Sequence, residues 1–480
     1  MTARLFGLEP APPERCRVLE VGCGAGAHLV ALAFQLPASR FLGIDPSRRQ
    51  LAAARRLASG LALDNLELRQ AGVEEVGDEV GEVDYLIAHG VYSWVEPAAR
   101  DALLALCRRC LAPHGVAYLS YNTYPGWALR GTVREMLRLL APTAGGPESE
   151  EAAATALLRF LAENSRADEP LGSFLRNEYE TVRRMPAGYL FHDHLAPLNQ
   201  PVWFHELVAH AARHHLQYLG ESRLGDMAAE RFPAATRDAL EAIADDLVTS
   251  QQLMDCLQPR YLRRSLLCHR DRRLQRHVGW RAVTSLRVAF ADAGLAAPPQ
   301  GLGIAEEAPE APAARAAAEV LAARAPQSTA FATLLREVRR RLGGEADRRL
   351  RERLARIVLS AHAGGWLQLL PRRWDLAVAP ARRPRASALA RRQAASAAGS
   401  VTSQRHEVVP MGALDRLLLP LLDGRRTRPA LRRDLAAAGR AVSREELEAR
   451  LQAYARWGLL VPGSPAPSGG SKMGAPESEA

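Results

Sequence analysis

The sequence has almost no lysine. Of its 63 basic residues 62 are arginine, and Lys472 is the single lysine. Its six cysteines are scattered over 480 residues and do not form the framework of a disulfide-rich secreted domain. It also lacks an apolar run of about 18 residues and a signal-peptide pattern at the N-terminus. We therefore predict a cytoplasmic protein with reduced thiols and no membrane segment.

The remaining composition is that of a folded multidomain protein. At about 150 residues per domain the chain has room for about three domains, and its hydrophobic content of 48% is sufficient for a core in each. The charge is uneven, because residues 331–480 carry 28 basic and 14 acidic side chains while residues 1–140 carry 15 of each. This basic third could bind nucleic acid or an acidic partner, or could form a solvated surface.

Strands and helices alternate along the first 127 residues. Strands are predicted within 16–21, 40–45, 65–71, 83–90 and 115–122, with helices between most of them. Such alternation is typical of an α/β fold with a doubly wound parallel sheet and helices on both faces. Ligands bind such sheets at the carboxyl ends of the strands. We therefore expect the functional site there.

The rest of the chain is mostly helical by pattern. We predict a core at 1–127, a helical insertion at 128–200 that could mediate dimerisation, and a return helix and strand at 201–224. A helical block at 225–295, a linker at 296–327 and a basic winged-helix-like region at 328–463 follow. Within that region 381–400 is predicted to be flexible, and the tail 464–480 to be disordered.

A glycine motif ends the first predicted strand. Glu20, Gly22, Gly24 and Gly26 form E-x-G-x-G-x-G, and the missing side chains let the backbone turn tightly and approach a ligand. The spacing differs from the G-x-G-x-x-G of hydride-transfer domains. Asp45 ends the second strand, where a carboxylate can accept both hydroxyls of a ribose. The pattern predicts a site for a nucleotide-type cofactor.

These residues resemble the S-adenosylmethionine site of class I methyltransferases. The segments at 89–95, 120–127 and 263–269 further resemble bacterial methyltransferases with a methyltransferase regulatory domain, which include the rickettsial-type protein-lysine methyltransferases. The resemblance implies a Rossmann-like fold, a regulatory role for 225–295, and methyl transfer from S-adenosylmethionine to a protein lysine. The cofactor-binding residues expected from motif and position are Glu20, Gly22, Cys23, Gly24, Gly26, Asp45, Pro46, Gly72, Val73, His89 and Val91.

Aromatic residues follow the fourth and fifth predicted strands. Rings around a cationic sulfonium would attract it and would exclude water. We predict that Tyr92, Tyr121 and Asn122 hold the acceptor amine. The predicted walls of the substrate channel are Ser93, Trp94, Tyr124 and Trp127. The alternative interpretation places these aromatic residues in a structural core.

Two further functions stay open at this point. The protein could methylate a small molecule or RNA, or it could be a non-catalytic regulator that senses S-adenosylmethionine and binds nucleic acid or a partner. A metal site is not predicted, although histidines crowd residues 192–215. His205 and His210 are five residues apart and do not share a helix face in the manner of H-E-x-x-H.

Overall fold

The structure is a computed structural model that describes residues 1–141, 147–185, 188–291, 300–343, 348–396 and 399–462. Its strands are β1 (Arg17–Val21), β2 (Arg40–Asp45), β3 (Leu66–Gln70), β4 (Val83–Ala88), β5 (Leu111–Asn122), β6 (Leu216–Glu221), β7 (Leu262–His269), β8 (Arg287–Phe290), β9 (Thr329–Ala330), β10 (Leu367–Leu370), β11 (Ser400–Thr402) and β12 (Val408–Pro410). Its helices are α1 (Thr2–Leu5), α2 (Ala27–Gln35), α3 (Arg48–Ser59), α4 (Pro97–Cys110), α5 (Gly126–Leu140), α6 (Pro147–Asn164), α7 (Pro170–Arg184), α8 (Phe204–Arg213), α9 (Ala234–Ile243), α10 (Leu247–Leu257), α11 (Ala311–Ala322), α12 (Phe331–Arg341), α13 (Arg348–Ala363), α14 (Ala388–Ala394), α15 (Ala413–Leu421), α16 (Arg428–Ala437) and α17 (Arg444–Arg456). Among the described helices, none combines the length and the apolar character needed to cross a membrane.

A seven-stranded sheet organises the first 270 residues. Its strand order is β3-β2-β1-β4-β5-β7-β6. The strands β1 to β5 pair in parallel with their neighbours, whereas β7 is antiparallel to both β5 and β6. The central strand β1 has four of five residues buried, as expected when helices cover both faces. The predicted doubly wound α/β fold is confirmed.

The largest apolar core joins this sheet to α4 and α8. Leu19 of β1, Leu86 of β4 and Leu119 of β5 pack in one cluster with Leu103 of α4 and Leu207 of α8. All five side chains are fully buried. The packing brings α4 and α8 together on one face of the sheet, although about 100 residues separate them in sequence.

The insertion between β5 and β6 has an apolar core of its own. Val133 and Leu137 of α5 pack there with Leu158 of α6 and Leu175 of α7. A single π-helical turn at Phe191–Leu195 follows these helices and contacts α5. The insertion is therefore a compact helical unit rather than an extended loop.

Residues 225–295 differ from the predicted helical block. They contain α9 and α10, but Leu262–His269 forms β7 inside the main sheet and Arg287–Phe290 forms β8. A short apolar run that is buried on both sides cannot be assigned to helix or strand by periodicity alone. The pairing of β7 with β5 and β6 decides the conformation, and those strands are distant in sequence.

The predicted linker at 296–327 also differs from the structure. Within its described part lies α11, and Ala314, Ala317 and Leu321 of this helix are buried in a core with Leu334 of α12. Alanine has the highest intrinsic helix propensity, and proline is tolerated in the first helical turn, where Pro312 stands. From Ala311 onwards the Ala-rich part of the predicted linker is therefore a buried helix.

The C-terminal part of the chain forms two small units. The strands β8, β9 and β10 form one antiparallel sheet with α11–α13 against it, and α14–α17 surround the β11–β12 hairpin. The stretch 381–400, predicted to be flexible, contains α14, whose Leu389 packs on Val30 and Ala31 of α2. Arg392 of α14 donates hydrogen bonds to the carbonyls of Arg56 and Leu57 in α3. The predicted tail 464–480 lies outside the described residues.

Candidate functional site

The glycine motif forms a tight loop between β1 and α2. The backbone N–H groups of Gly22 and Cys23 both donate to the carbonyl of Ile44 on β2. Gly26 has φ +71, and a Cβ there would lie 2.7 Å from Cβ of Ala54 on α3. Gly24 has φ +53 and would meet no atom within 4 Å, so its backbone faces open space. The absence of a side chain at Gly26 thus lets the loop pack closely against α3, and the tip of the loop at Gly24 stays accessible to a ligand.

Asp45 holds this loop from the end of β2. Its Oδ2 accepts the N–H of Gly24 at 2.9 Å and its Oδ1 accepts the N–H of Ser47 at 2.8 Å. The residue is 8% exposed and lines a cavity at the carboxyl ends of the strands. A carboxylate has about four acceptor sites. Asp45 therefore retains acceptor capacity on both oxygens for the hydroxyls of a bound group.

Glu20 has one carboxylate oxygen without a partner beside the loop. Its side chain is buried, Oε1 lies 3.1 Å from Nδ1 of His28, and Oε2 has no hydrogen-bond partner among the described residues. Burial lowers the pKa of His28, but the contact with Glu20 outweighs it, so the pKa lies above its usual value. A buried carboxylate oxygen without a partner is costly, and an ammonium group would satisfy it.

Two cavities meet at His89. The first has a volume of about 1150 Å³ and is lined by both the glycine loop and the insertion. The second, of about 690 Å³, is largely apolar and includes Glu20 and His28 in its wall. His89 lines both cavities, and its Nδ1 lies 2.9 Å from Oγ of Ser120.

The structure brings most predicted cofactor residues to the larger cavity. Cys23 is an exception, because its side chain is buried in the core beneath the loop and burial raises its pKa to about 12. Gly26 shapes the loop from the start of α2, and Glu20 lines the adjoining cavity. The predicted residues that line the larger cavity are Gly22, Gly24, Asp45, Pro46, Gly72, Val73, His89 and Val91.

Trp94 and Asn122 define the far end of the same cavity. The Trp94 indole stacks on the His192 ring with centroids 4.7 Å apart, and its Nε1–H donates to the His192 carbonyl. Asn122 lines the cavity and donates its side-chain N–H to Oδ1 of Asn199 at 2.9 Å, which leaves its own Oδ1 available to accept a hydrogen bond. Ser93 is fully buried and accepts the backbone N–H of Asn122, so it positions the end of β5.

Tyr92 and Tyr121, which were predicted to hold the acceptor amine, do not line this cavity. Side chains alternate along a strand, and because Ser120 and Asn122 line the cavity, Tyr121 points to the opposite face, where its hydroxyl lies 3.0 Å from Oγ of Ser265. The hydroxyl of Tyr92 lies 2.8 Å from Nδ1 of His210, and burial raises the pKa of Tyr92 to about 12. Tyr92 and Tyr121 are therefore neutral at physiological pH.

Tyr124 and Trp127 also differ from the predicted channel. They line a separate cleft along α5, and Tyr124 packs against the Trp203 ring with centroids 5.4 Å apart. Trp127 is 2% exposed, and the Arg130 guanidinium lies 5.3 Å from its ring centroid. For Trp127 the structure favours the core interpretation that the sequence left open, whereas Tyr124 is half-buried in the wall of that cleft.

Several cavity residues were missed by the sequence analysis. Arg130 of α5 lies in the wall, where it pairs with the buried Glu178 at 2.7 Å and faces Asp193 at 3.6 Å. No periodic pattern marks these positions, because the folding of the insertion decides which of its residues face the cavity. The segment at 263–269 and the histidines within 192–215 were the signals nearby. The missed lining residues include Arg130, Met185, Tyr189, His192, Asp193, Leu198, Tyr261 and Arg264.

Three family models match separate parts of the chain. Residues 18–115 match a methyltransferase domain, and residues 186–269 match a predicted methyltransferase regulatory domain. Residues 382–453 match a PKMT C-terminal winged helix domain. The first match covers the glycine loop, and the second covers β6, β7 and the π-helical turn of the cavity wall.

Similar proteins and structures agree with these models. Two uncharacterized proteins of Rickettsia prowazekii are 32% identical over 289 residues and 31% identical over 211 residues. The matches cover 60% and 44% of this chain, and 52% and 84% of those proteins, so the chain spans about half the length of the first.

The structure of PKMT2 from Rickettsia typhi covers 96% of this chain, with 97% of its own length, at a TM-score of 0.82 and 25% identity. Its complex with AdoHcy has a TM-score of 0.83 at 24% identity and the same coverage of both chains. The class I methyltransferase fold and the resemblance found in the sequence are confirmed. The chain belongs to the methyltransferases that carry a methyltransferase regulatory domain, and its C-terminal part matches a PKMT C-terminal winged helix domain.

Proposed function

We propose that the protein is an S-adenosylmethionine-dependent methyltransferase whose acceptor is a lysine amine of a protein substrate. One observation carries the proposal: a single cavity of about 1150 Å³ joins the glycine loop and Asp45 to Trp94 and Asn122. Family membership and the fold shared with a rickettsial PKMT support it.

The residues of this chain fit S-adenosylmethionine. Asp45 stands where ribose hydroxyls would bind, and the unpartnered Oε2 of Glu20 suits the ammonium group. Gly72 and Val73 line the cavity beyond β3, where Gly72 offers only backbone atoms to an adenine. The neighbouring structure of Rickettsia typhi PKMT2, solved with AdoHcy, supports this cofactor.

The far end of the cavity suits an uncharged amine. When bound, S-adenosylmethionine supplies a sulfonium methyl group, whose C–S bond breaks as an amine nitrogen forms the new C–N bond and loses a proton to water. Oδ1 of Asn122 can accept an amine hydrogen and align the nitrogen. The amine must be uncharged at this step, because an ammonium nitrogen has no lone pair with which to form the new C–N bond.

Asn122→Ala is expected to slow methyl transfer without loss of cofactor binding. One orienting hydrogen bond to a charged or reacting group contributes about 1.5–3 kcal/mol, so the transfer rate should fall about 10- to 100-fold. The measurement is label transfer from S-adenosylmethionine to lysate protein, paired with calorimetric titration with S-adenosylhomocysteine. Asn164→Ala, on the exposed surface of α6, is the matched control. An equal loss of cofactor affinity would instead assign Asn122 to the cofactor site.

Cofactor affinity is expected to depend on the protonation of His28. Below its raised pKa, protonated His28 pairs with Glu20 and opposes a second cation there. Affinity for S-adenosylhomocysteine should therefore rise as the pH increases through the His28 pKa, by up to about tenfold per pH unit for one displaced proton. Titrations between about pH 6 and 8 measure this slope. His28→Gln should flatten it, and an unchanged slope in that variant would exclude the mechanism.

Transfer of a labelled methyl group from S-adenosylmethionine tests whether the acceptor is a protein, an RNA or a small molecule. Lysate is incubated with labelled S-adenosylmethionine and protein, and then treated with protease or ribonuclease. Protease-sensitive label at lysine supports the proposal, whereas label in RNA or in the small-molecule fraction supports the alternatives. Cofactor binding without transfer supports a non-catalytic sensor. Self-methylation at lysine gives little background, because Lys472 is the single lysine and Lys472→Arg removes it.

Two finer proposals concern partners. Leu139, Leu140 and Phe160 are exposed on α5 and α6, and apolar surface of this kind supports a homodimer through the insertion, which sedimentation velocity tests.

The basic C-terminal region supports nucleic-acid binding less strongly, because Arg426 and Arg428 pair with acidic side chains of the same unit. Salt-dependent binding to duplex DNA tests the second proposal.

A further inference from the structure

A cluster of metal-ligand side chains lies on the face of the sheet covered by α4 and α8. Within the described ranges, one group of three such residues has all ligand atoms within 4.8 Å of one another: Asp101, His210 and His214. His210 and His214 are one helical turn apart at the end of α8, and Asp101 comes from α4. The group lies apart from the cavity that joins the glycine loop to Asn122.

The donor atoms converge as metal ligands do. Oδ1 of Asp101 lies 3.2 Å from Nε2 of His210 and 2.8 Å from Nε2 of His214. Donors about 2.0–2.1 Å from a tetrahedral Zn²⁺ are about 3.3 Å from one another, so small side-chain movements suffice to admit the ion. Two imidazoles and one carboxylate form a ligand set of known zinc sites, with water in the fourth position.

One side of the cluster, at Asp101, is exposed to solvent, and the other side, at His210 and His214, is mostly buried. The Asp101 side chain is 61% exposed, which gives an ion a path from solvent and room for a water ligand. The side chains of His210 and His214 are only 11% and 17% exposed, so the sheet and helices restrict their orientation. A site that is pre-oriented and accessible loses little conformational entropy on binding an ion.

Tyr92 provides the second contact that metal-binding histidines require. Its hydroxyl lies 2.8 Å from Nδ1 of His210, which turns Nε2 towards Asp101. Metal-ligating histidines almost always hydrogen-bond through their other nitrogen, and this partner fixes the ring orientation. Tyr92 begins the 3-10 turn Tyr92–Trp94, so the cluster is connected to the cavity wall at Trp94.

We propose that Asp101, His210 and His214 bind a divalent transition-metal ion, Zn²⁺ in particular, and that the ion holds the Tyr92–Trp94 turn in place through His210 and Tyr92. The five-residue spacing of His205 and His210 does not predict a metal site. The four-residue spacing of His210 and His214 was the available signal, and Asp101 lies more than 100 residues away.

The test is direct metal binding, which does not depend on methyl transfer. Full-length protein without an affinity tag is stripped with a chelator and titrated with Zn²⁺ by calorimetry and with Co²⁺ by its visible absorption. We expect one ion per chain and a tetrahedral Co²⁺ spectrum that Zn²⁺ abolishes. Asp101→Asn and His214→Ala should each weaken binding about 100-fold or more, and Tyr92→Phe about tenfold.

His205→Ala is the matched control, because His205 lies on the same helix and contacts Gln252 instead. It should bind Zn²⁺ as the unchanged protein does. Asp101 is exposed and Asn is isosteric with Asp, so Asp101→Asn tests the site without a risk to folding. The proposal is overturned if the unchanged protein does not bind Zn²⁺, or if Asp101→Asn, His214→Ala and His205→Ala bind it equally. In that case the three residues form only a structural ion pair.

Discussion

Asp45→Ala is expected to abolish measurable cofactor binding. The substitution removes the proposed acceptor for two ribose hydroxyls, and hydrogen bonds to a charged group contribute about 1.5–3 kcal/mol each. It also releases the N–H groups of Gly24 and Ser47 that shape the loop. Affinity for S-adenosylhomocysteine in calorimetric titration should fall at least about 100-fold, since about 1.4 kcal/mol corresponds to a factor of ten.

The control for this prediction is Asp84→Ala. Asp84 also accepts a backbone N–H from a neighbouring strand, that of Arg17 at 2.7 Å, but at the amino ends of the strands. Its loss should leave cofactor affinity unchanged. If Asp84→Ala weakened binding as much as Asp45→Ala, the effect would come from general loosening of the sheet. If Asp45→Ala bound normally, the cofactor site would lie elsewhere.

The cofactor half of the site could be predicted because its determinants are local. Glu20, Gly22, Gly24 and Gly26 lie on one strand and its following turn, and Asp45 ends the adjacent strand. Each role follows from the position of the residue at a strand end or from a missing side chain. The parallel order of β1 and β2 then brings these residues together without information from the rest of the chain.

The acceptor half could not be predicted in the same way. The sequence offered several aromatic residues near two strand ends, but the alternation of β5 sends Tyr121 away from the cavity and Asn122 towards it. The register of a strand against both faces of a sheet depends on its neighbours. Tyr189 and His192 enter the wall only because the insertion folds over the strand ends. Tyr261 enters it because β7, which begins at the next residue, pairs with the end of β5.

The pairing of β7 with the edge strand β6 also depends on contacts between residues that are distant in sequence. Arg263 of β7 is fully buried, with Nη1 2.7 Å from Oε1 of Glu221 on β6 and Nε 2.7 Å from Oδ2 of Asp255 on α10. Its guanidinium lies 3.8 Å from the ring centroid of Phe204 on α8. One side chain thus connects four elements and compensates two buried carboxylates. These contacts explain why β7 pairs within the sheet, where the sequence favoured a helical block.

Arg263→Ala is therefore expected to be strongly destabilising. Removing one partner of a buried ion pair leaves an uncompensated charge and costs about 3–5 kcal/mol. Here Glu221 loses its cationic partner, whereas Asp255 loses one of two, since Nε of Arg260 lies 3.2 Å from its Oδ1. The free energy of unfolding, measured by urea denaturation followed by circular dichroism, should fall by that amount at neutral pH. Arg272→Ala is the control, because Arg272 pairs with Asp271 at the surface and should contribute less than about 1 kcal/mol.

The pH dependence of the loss separates charge from packing. Burial already raises the pKa of Asp255 despite its contact with Arg263, and removing Arg263 should raise it further. Protonation then relieves the buried charge, so the destabilisation by Arg263→Ala should be smaller at about pH 5 than at about pH 8. Adding Glu221→Gln and Asp255→Asn to Arg263→Ala should recover part of the loss at neutral pH. A loss that neither acid nor the added substitutions reduce would mean that Arg263 acts through its packing on Phe204 rather than through its charge.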